Sequence, residues 1–327
     1  MNLWIAKAII QKAVSFIPGA PHINHFFQVA SGRFGLTDQE FQDRLTHLHH
    51  HLRHYRELSG RTLPDRVLEL GTGWFPVVPV GLYLSGAGIV VSTDIRNHLR
   101  TKYLLQTILK FIEWDEKGTL RATLPDLNPG RMDHLKKFLA NRGKKSLQRY
   151  LHALPLEFHS GTLGQLKDRK GHFQLIVSNN TLEHIPELML KQVLEDLAVL
   201  GGPSAISSHF IDMSDHFSHV DPSISPYHFL KFSPRAWAWI DNSIQPQNRL
   251  RITTFRAFFR ETGYTIALET HREGSLEELQ KIKISRTFQV LPLEDLRVTH
   301  AYLAVQHPGF IGGLHNQEHP RINQVPG

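Results

Sequence analysis

Cysteine is absent from the 327 residues of this chain, which removes a disulfide framework, a thiolate zinc site and a thiol nucleophile at once. A reducing compartment such as the cytoplasm suits it. Long apolar runs are missing too: no stretch reaches the ~18 uncharged apolar residues that a membrane span needs. The first 17 residues carry Leu3, Trp4, Ile5, Ile9, Ile10, Val14 and Ile17, but Lys7, Gln11 and Ser15 recur inside the run. That pattern predicts an amphipathic helix rather than a secretory signal, whose positive charge would stand ahead of an unbroken apolar core. The helix packs on its own protein in the first reading and touches a membrane surface in the second.

Excess charge of one sign is also modest, with 37 basic against 30 acidic residues and a net of +7. The densest basic stretch, Arg131 to Arg149, reads as a solvated helical face, with contact to an anionic substrate or nucleic acid as the alternative. Internal repeats are absent. The composition, 41% hydrophobic, is that of a soluble globular chain.

Residues 1–60 read as a helical N-terminal cap. His47, His50, His51 and His54 fall at helical three- and four-residue spacings, as metal ligands would, yet no carboxylate is evidently paired with them. From Arg61 the texture changes to alternating strands and helices. Arg66 to Leu70 is a short apolar strand, followed by Gly71, Thr72 and Gly73, a helix entered at Pro76, and a second buried strand, Ile89 to Thr93, closed by Asp94. This is a βαβ unit. Helical stretches interrupt the pattern over residues 97–154, and alternation resumes with strands at 156–159, 173–178 and 205–210. Residues 211–250 form a second, irregular interruption. Strands at 264–269 and 300–305 close the unit, and 309–327 read as a loose tail. The prediction is an α/β chain with a doubly wound, mostly parallel seven-stranded sheet over residues 61–308.

Such sheets bind ligands at the carboxyl ends of their strands, where the strand order reverses. Glycine serves the turn after the first strand because the backbone bends sharply there and a ligand approaches without a Cβ in the way. A carboxylate such as Asp94 at the end of the second strand can accept both hydroxyls of a ribose. A nicotinamide-dependent dehydrogenase uses the same devices, but its Gly-x-Gly-x-x-Gly fingerprint fails here at Pro76.

The run Val67 to Pro76 together with Asp94 resembles motif I and the second-strand acidic residue of class I, Rossmann-like S-adenosylmethionine-dependent methyltransferases. His172 to Ile185, with its Leu182-Glu183-His184, resembles that family's fourth strand and following turn. The resemblance implies S-adenosylmethionine as cofactor and methyl transfer as the reaction. It implies that Glu69, Gly71 and Gly73 surround the methionine part, that Asp94 holds the ribose, that Gly161 and Thr162 lie by the adenine, and that Thr72 and Ile95 belong to the same cofactor site. Asn179 and Asn180 would border the sulfonium. The chain departs from the family at Phe75, where a third glycine is usual, and at Ser160-Gly161-Thr162, which lacks the aspartate often found beside adenine.

Methyl transfer to oxygen needs a base. His209, Asp212, Asp215, His216, His219 and Asp221 crowd one segment after the fifth strand, and three readings of it stand side by side: a structural or gating loop, an acceptor site with His209, His216 or His219 as base, and a divalent metal site. No metal ligand set is assigned. Tyr227, Phe229, Phe232, Trp237 and Trp239 follow and read as core or as the lining of an acceptor pocket. A small or medium organic acceptor methylated on oxygen is the first expectation. A chain that binds the cofactor without turnover, or one acting on RNA or a lipid-like acceptor, is the alternative.

Overall fold

Apolar runs rich in Val, Ile and Leu become buried parallel strands when helices cover both faces of a sheet. In this computed structural model, which describes residues 3–16, 35–141, 147–309 and 321–324, they do so as β1 (Arg66–Leu70), β2 (Ile89–Asp94), β3 (Leu156–Ser160), β4 (Leu175–Asn179) and β5 (Ile206–Asp212). Three further strands, β6 (Thr265–Glu273), β7 (Val298–Gln306) and β8 (Arg321–Gln324), complete one sheet in the order β3-β2-β1-β4-β5-β7-β6-β8. β7 runs antiparallel to both β5 and β6, while β8 returns parallel to β6. The seven expected strands are thus present in a doubly wound order. The eighth comes from residues the sequence assigns to a loose tail; the rest of that tail, beyond residue 309, lies outside the described residues. Strand order reverses between β1 and β4, so the crevice such a sheet offers a ligand opens at their carboxyl ends.

Twelve α-helices surround the sheet among the described residues: α1 (Leu3–Ser15), α2 (Asp38–Ser59), α3 (Val77–Ser85), α4 (Thr101–Glu116), α5 (Leu120–Thr123), α6 (Pro129–Ala140), α7 (Leu147–Ala153), α8 (Glu187–Gly201), α9 (Pro234–Ile240), α10 (Ile252–Glu261), α11 (Leu276–Gln280) and α12 (Leu293–Arg297). α2 starts at a capping box, in which Thr37 and Glu40 satisfy each other's backbone N–H groups, and stops at Gly60 in the left-handed region. Leu45, Leu48 and Leu52 of α2 share a core with Val80 and Leu84 of α3, Ile108 and Phe111 of α4 and Leu135 of α6. The interruption at 97–154 therefore contributes helices to the main core on this face. On the other face Leu190 and Leu194 of α8 and Phe255 and Phe259 of α10 cover Ile176 of β4 and Leu303 of β7.

The two N-terminal helices part company. α1 packs on its own protein, as in the first of its two readings, but its partner is the 211–250 segment and not α2. The Trp4 ring lies against His228 and Phe232, its backbone N–H donates to Asp221 at 3.0 Å, and Lys12 Nζ donates to the carbonyls of Ala238 and Asp241, both at 2.8 Å. Asp221 is thus an anchor for a helix end. Tyr227, Phe229 and Trp237 belong to this third core, whereas Trp239 is exposed. The basic stretch is partly consumed by structure, with Arg131 bonding the Tyr83 carbonyl and Lys136 paired with Asp115; residues 142–146 lie outside the described residues. Among the described residues no helix is long and apolar enough to cross a membrane.

Candidate functional site

β1 leaves the sheet through Gly71, whose N–H donates to the Thr93 carbonyl at 2.7 Å. Its φ of +89° lies in the region that favours glycine, and a Cβ there would stand 2.1 Å from Thr181 Oγ1. The turn after β1 and the turn after β4 thus touch across a gap that admits no side chain. Gly73, at φ +66°, differs: a Cβ built on it meets nothing within 4 Å. Open space begins at this backbone, beside the Asp94 carboxylate. Asp94 Oδ2 accepts from the Gly73 N–H at 2.8 Å and Oδ1 from the Arg96 N–H at 2.9 Å, while its carbonyl accepts from the Gly161 N–H at 2.9 Å. Ile95 next to it is exposed. Gly73, Asp94 and Gly161 are therefore neighbours at the carboxyl ends of three parallel strands. Thr162 follows as the residue that begins a short 3-10 turn.

Glu69 and Thr72 sit one layer deeper. Ser92 Oγ donates to Glu69 Oε2 at 2.5 Å, and the Thr72 and Ser92 hydroxyls bond each other. Burial pushes the Glu69 carboxyl up to about 7, against the hydrogen bond from Ser92 and the charge of Arg44. Folded Glu69 keeps a proton that the unfolded chain has already released. The stability this supplies is complete below the ordinary carboxylate range and is lost as pH rises toward and through about 7. Glu69→Gln, which retains the acceptor for Ser92 and cannot ionise, should therefore raise the melting temperature relative to the parent increasingly between pH 4.5 and 7.5. The gain levels off at about 3 kcal/mol, since each tenfold change in the protonation equilibrium is worth about 1.4 kcal/mol. A difference that stays flat with pH contradicts this.

Phe75, at the family's third-glycine position, turns into the core against Tyr103, with ring centroids 5.1 Å apart. Its carbonyl accepts from Arg44 Nη1 at 2.7 Å. Asn180 adopts φ +47°, a conformation asparagine tolerates better than most residues, and its N–H reaches the Phe210 carbonyl. Asn179 Oδ1 pairs with His51 Nε2 at 2.9 Å. That contact explains His51, whereas His50 beside it packs on Tyr302 and its buried Nδ1 has no hydrogen-bond partner among the described residues. His51 and His54 both bond Ser208 of β5 at 2.8 Å, and His47 bonds the Tyr302 hydroxyl. Their spacing places them along the face of α2 that lies on the sheet, where they satisfy polar groups.

Of the three candidate bases, His209 is withdrawn by its position. It lies fully buried in β5, bonded through Nδ1 to Ser178 Oγ at 2.8 Å and packed against Phe259, and burial lowers its pKa to about 3. An imidazole closed off from solvent in this way meets no acceptor. His216 and His219 stack on each other beyond the end of β5, with centroids 5.4 Å apart. Both face Asp212, at 3.4 and 3.8 Å from its Oδ2. His300 of β7 approaches Oδ1 at 3.4 Å, and Ser214 Oγ donates to the same oxygen at 2.6 Å. Burial opposes ionisation of Asp212, yet the bonds and charges of His216, His300 and Ser214 hold it below the ordinary carboxylate range. Asp215, a few residues on, is fully buried and pairs with His228 at 3.1 Å. The polar segment thus divides into a hub around Asp212 and two structural anchors, Asp215 and Asp221.

The end of the 211–250 segment reaches over the crevice. Arg96 Nη1 donates to the Ile244 carbonyl at 3.2 Å and Nη2 to that of Ser243, while His184 Nδ1 bonds the Pro246 carbonyl at 2.5 Å. Residues 243–246 therefore bridge the turn after β2 and the turn after β4. Nothing in the sequence marks Arg96, since one arginine after a strand carries no signal of the loop it will hold.

No protein-family model matches the chain, and no curated protein matches it in sequence. Among solved structures, similarity extends to the Burkholderia thailandensis 1,6-didemethyltoxoflavin-N1-methyltransferase with bound 1,6-didemethyltoxoflavin and S-adenosylhomocysteine, at 14% identity over 89% of each chain and a TM-score of 0.44. The Haemonchus contortus phosphoethanolamine N-methyltransferase 2 in complex with S-adenosyl-L-methionine matches at 10% identity over 79% of this chain and 52% of its own, with a TM-score of 0.40. Overlaps this loose carry nothing about the chemistry of this chain, which rests on its own residues.

Proposed function

We propose that the chain is a class I S-adenosylmethionine-dependent methyltransferase acting on an oxygen of a small or medium organic acceptor. The observation that carries this reading is the closed geometry of the first βαβ unit: a backbone open to a ligand at Gly73, joined by a 2.8 Å bond to the carboxylate that ends β2. Both Asp94 oxygens keep lone pairs beyond the two backbone N–H groups they already accept, so the carboxylate can take the two hydroxyls of a ribose. Ile95 offers exposed apolar surface beside it for a base, and Gly161 and Thr162 flank the same place. Asn179 and Asn180 border the crevice from the side of β4.

When bound, S-adenosylmethionine supplies a methyl group already activated on a sulfonium. What remains for the protein is to hold the acceptor in line with the sulfur–methyl bond and to keep water out. The 243–246 bridge, held by Arg96 and His184, suits the second task. Removing the acceptor proton falls to His219, the more exposed of the two stacked imidazoles, whose pKa is lowered chiefly by burial so that it is neutral and able to accept a proton at pH 7. Asp212 orients it.

A screen of hydroxylated acceptors with detection of S-adenosylhomocysteine tests catalysis and substrate class together. His219→Ala is expected to lower kcat by about 10²-fold or more, the usual worth of a positioned base, while cofactor affinity measured by calorimetry is unchanged. Turnover that survives His219→Ala intact removes this residue as the base. Turnover only on amines moves the acceptor atom from oxygen to nitrogen.

A further inference from the structure

Glu183 is buried to 1% exposure at the end of the β4 turn, and neither carboxylate oxygen has a hydrogen-bond partner among the described residues. The amides of Glu183 and Asp212 lie near it without closing a bond, and burial together with the charge of Asp212 pushes its pKa well above the ordinary range. An isolated polar group in this position costs stability without return. Its surroundings are not random. One ligand atom each of Glu183, His184 and His216 lies within 4.8 Å of the other two, a spacing that small side-chain movements close to a coordination shell of ~2.0–2.2 Å radius.

The layer behind His184 is arranged as metal sites require. The Pro246 carbonyl can only accept, so His184 Nδ1 carries the proton and its Nε2 presents a lone pair. Asp212 Oδ2 stands 3.4 Å from His216 Nε2, and the Gln245 amide approaches His216 Nδ1 at 3.5 Å. Two imidazoles and one carboxylate select a transition cation over calcium or magnesium, and three protein ligands leave an open position.

We propose that Glu183, His184 and His216 bind one divalent transition cation, with a coordination position left free toward the crevice. If the methyl-transfer reading holds, that position takes the acceptor oxygen and favours loss of its proton; the binding itself does not depend on that reading. Cobalt(II) is the probe, because its visible absorption reports the donor set directly.

Titration of the dialysed full chain with Co2+ should show one saturable site per chain with a visible band, displaced by Zn2+. Glu183→Gln and His216→Ala should each weaken it at least tenfold, while His49→Ala on α2 leaves it unchanged. Circular dichroism checks the variants; should His216→Ala fail to fold, Glu183→Gln, which keeps the shape and removes the charge, decides. Absence of a saturable site, or a site unmoved by Glu183→Gln, overturns the proposal. Binding of S-adenosylmethionine, measured separately, shows whether the methyl-transfer reading stands or falls on its own.

Discussion

Asp94→Ala is expected to weaken binding of S-adenosylmethionine by about 100-fold or more while leaving the chain folded. The carboxylate stands where β2 ends and accepts backbone N–H groups from both Gly73 and Arg96. A hydrogen bond to a charged group is worth about 1.5–3 kcal/mol, and losing the acceptor for two ribose hydroxyls removes two of them, enough for the stated factor. The two backbone donors are only half-buried and can turn to water, so melting should fall by a few degrees at most. Calorimetry of parent and variant checks this. Asp94→Asn, which keeps an acceptor and loses the charge, should lie between them, and equal affinity in all three would remove Asp94 from the cofactor site.

Arg251→Met should cost about 3–5 kcal/mol of stability. Arg251 is 1% exposed and stands at the entry to α10. Its guanidinium donates to the carbonyls of Met213, Leu296 and Val298, tying the segment after β5 to α12 and to the start of β7. Burial lowers its pKa to about 10, so it is cationic throughout the useful range. Methionine fills part of the space but leaves three buried carbonyls without donors, at about 1–3 kcal/mol each before relaxation. The expected fall in Tm is roughly 5–10 °C. Because Met213 directly follows the Asp212 hub, activity should fall further than the loss of folded protein explains. A variant as stable as the parent contradicts this assignment.

The parts of the fold that are legible in the sequence are those decided locally. A short apolar strand, a glycine turn, a helix and a second strand ending in aspartate follow one another within thirty residues, and periodicity with turn chemistry suffices to read them. The helix in the 211–250 segment is signalled just as locally, since Ser233 caps it and Pro234 follows at its first position; the surrounding histidines and aromatics obscure that signal. What is not legible depends on pairing between distant residues. His300 joins Asp212 only because β5 and β7 pair antiparallel in that register. His209 lies fully buried within β5 and His216 beyond its end, a difference set by where β5 stops. The α2 histidines mimic ligand spacing because polar groups of the sheet recur along the same helix face. The β8 strand is hidden because a sheet edge accepts a strand of little character of its own.

Whether the crevice at Gly73 and Asp94 holds S-adenosylmethionine is decided by titrating the unaltered chain with the cofactor in a calorimeter. One molecule bound per chain, with affinity lost in both Asp94→Ala and Gly73→Val, is the predicted result. Absence of binding heat at several temperatures, together with a melting temperature unmoved by a large excess of the cofactor, would contradict it.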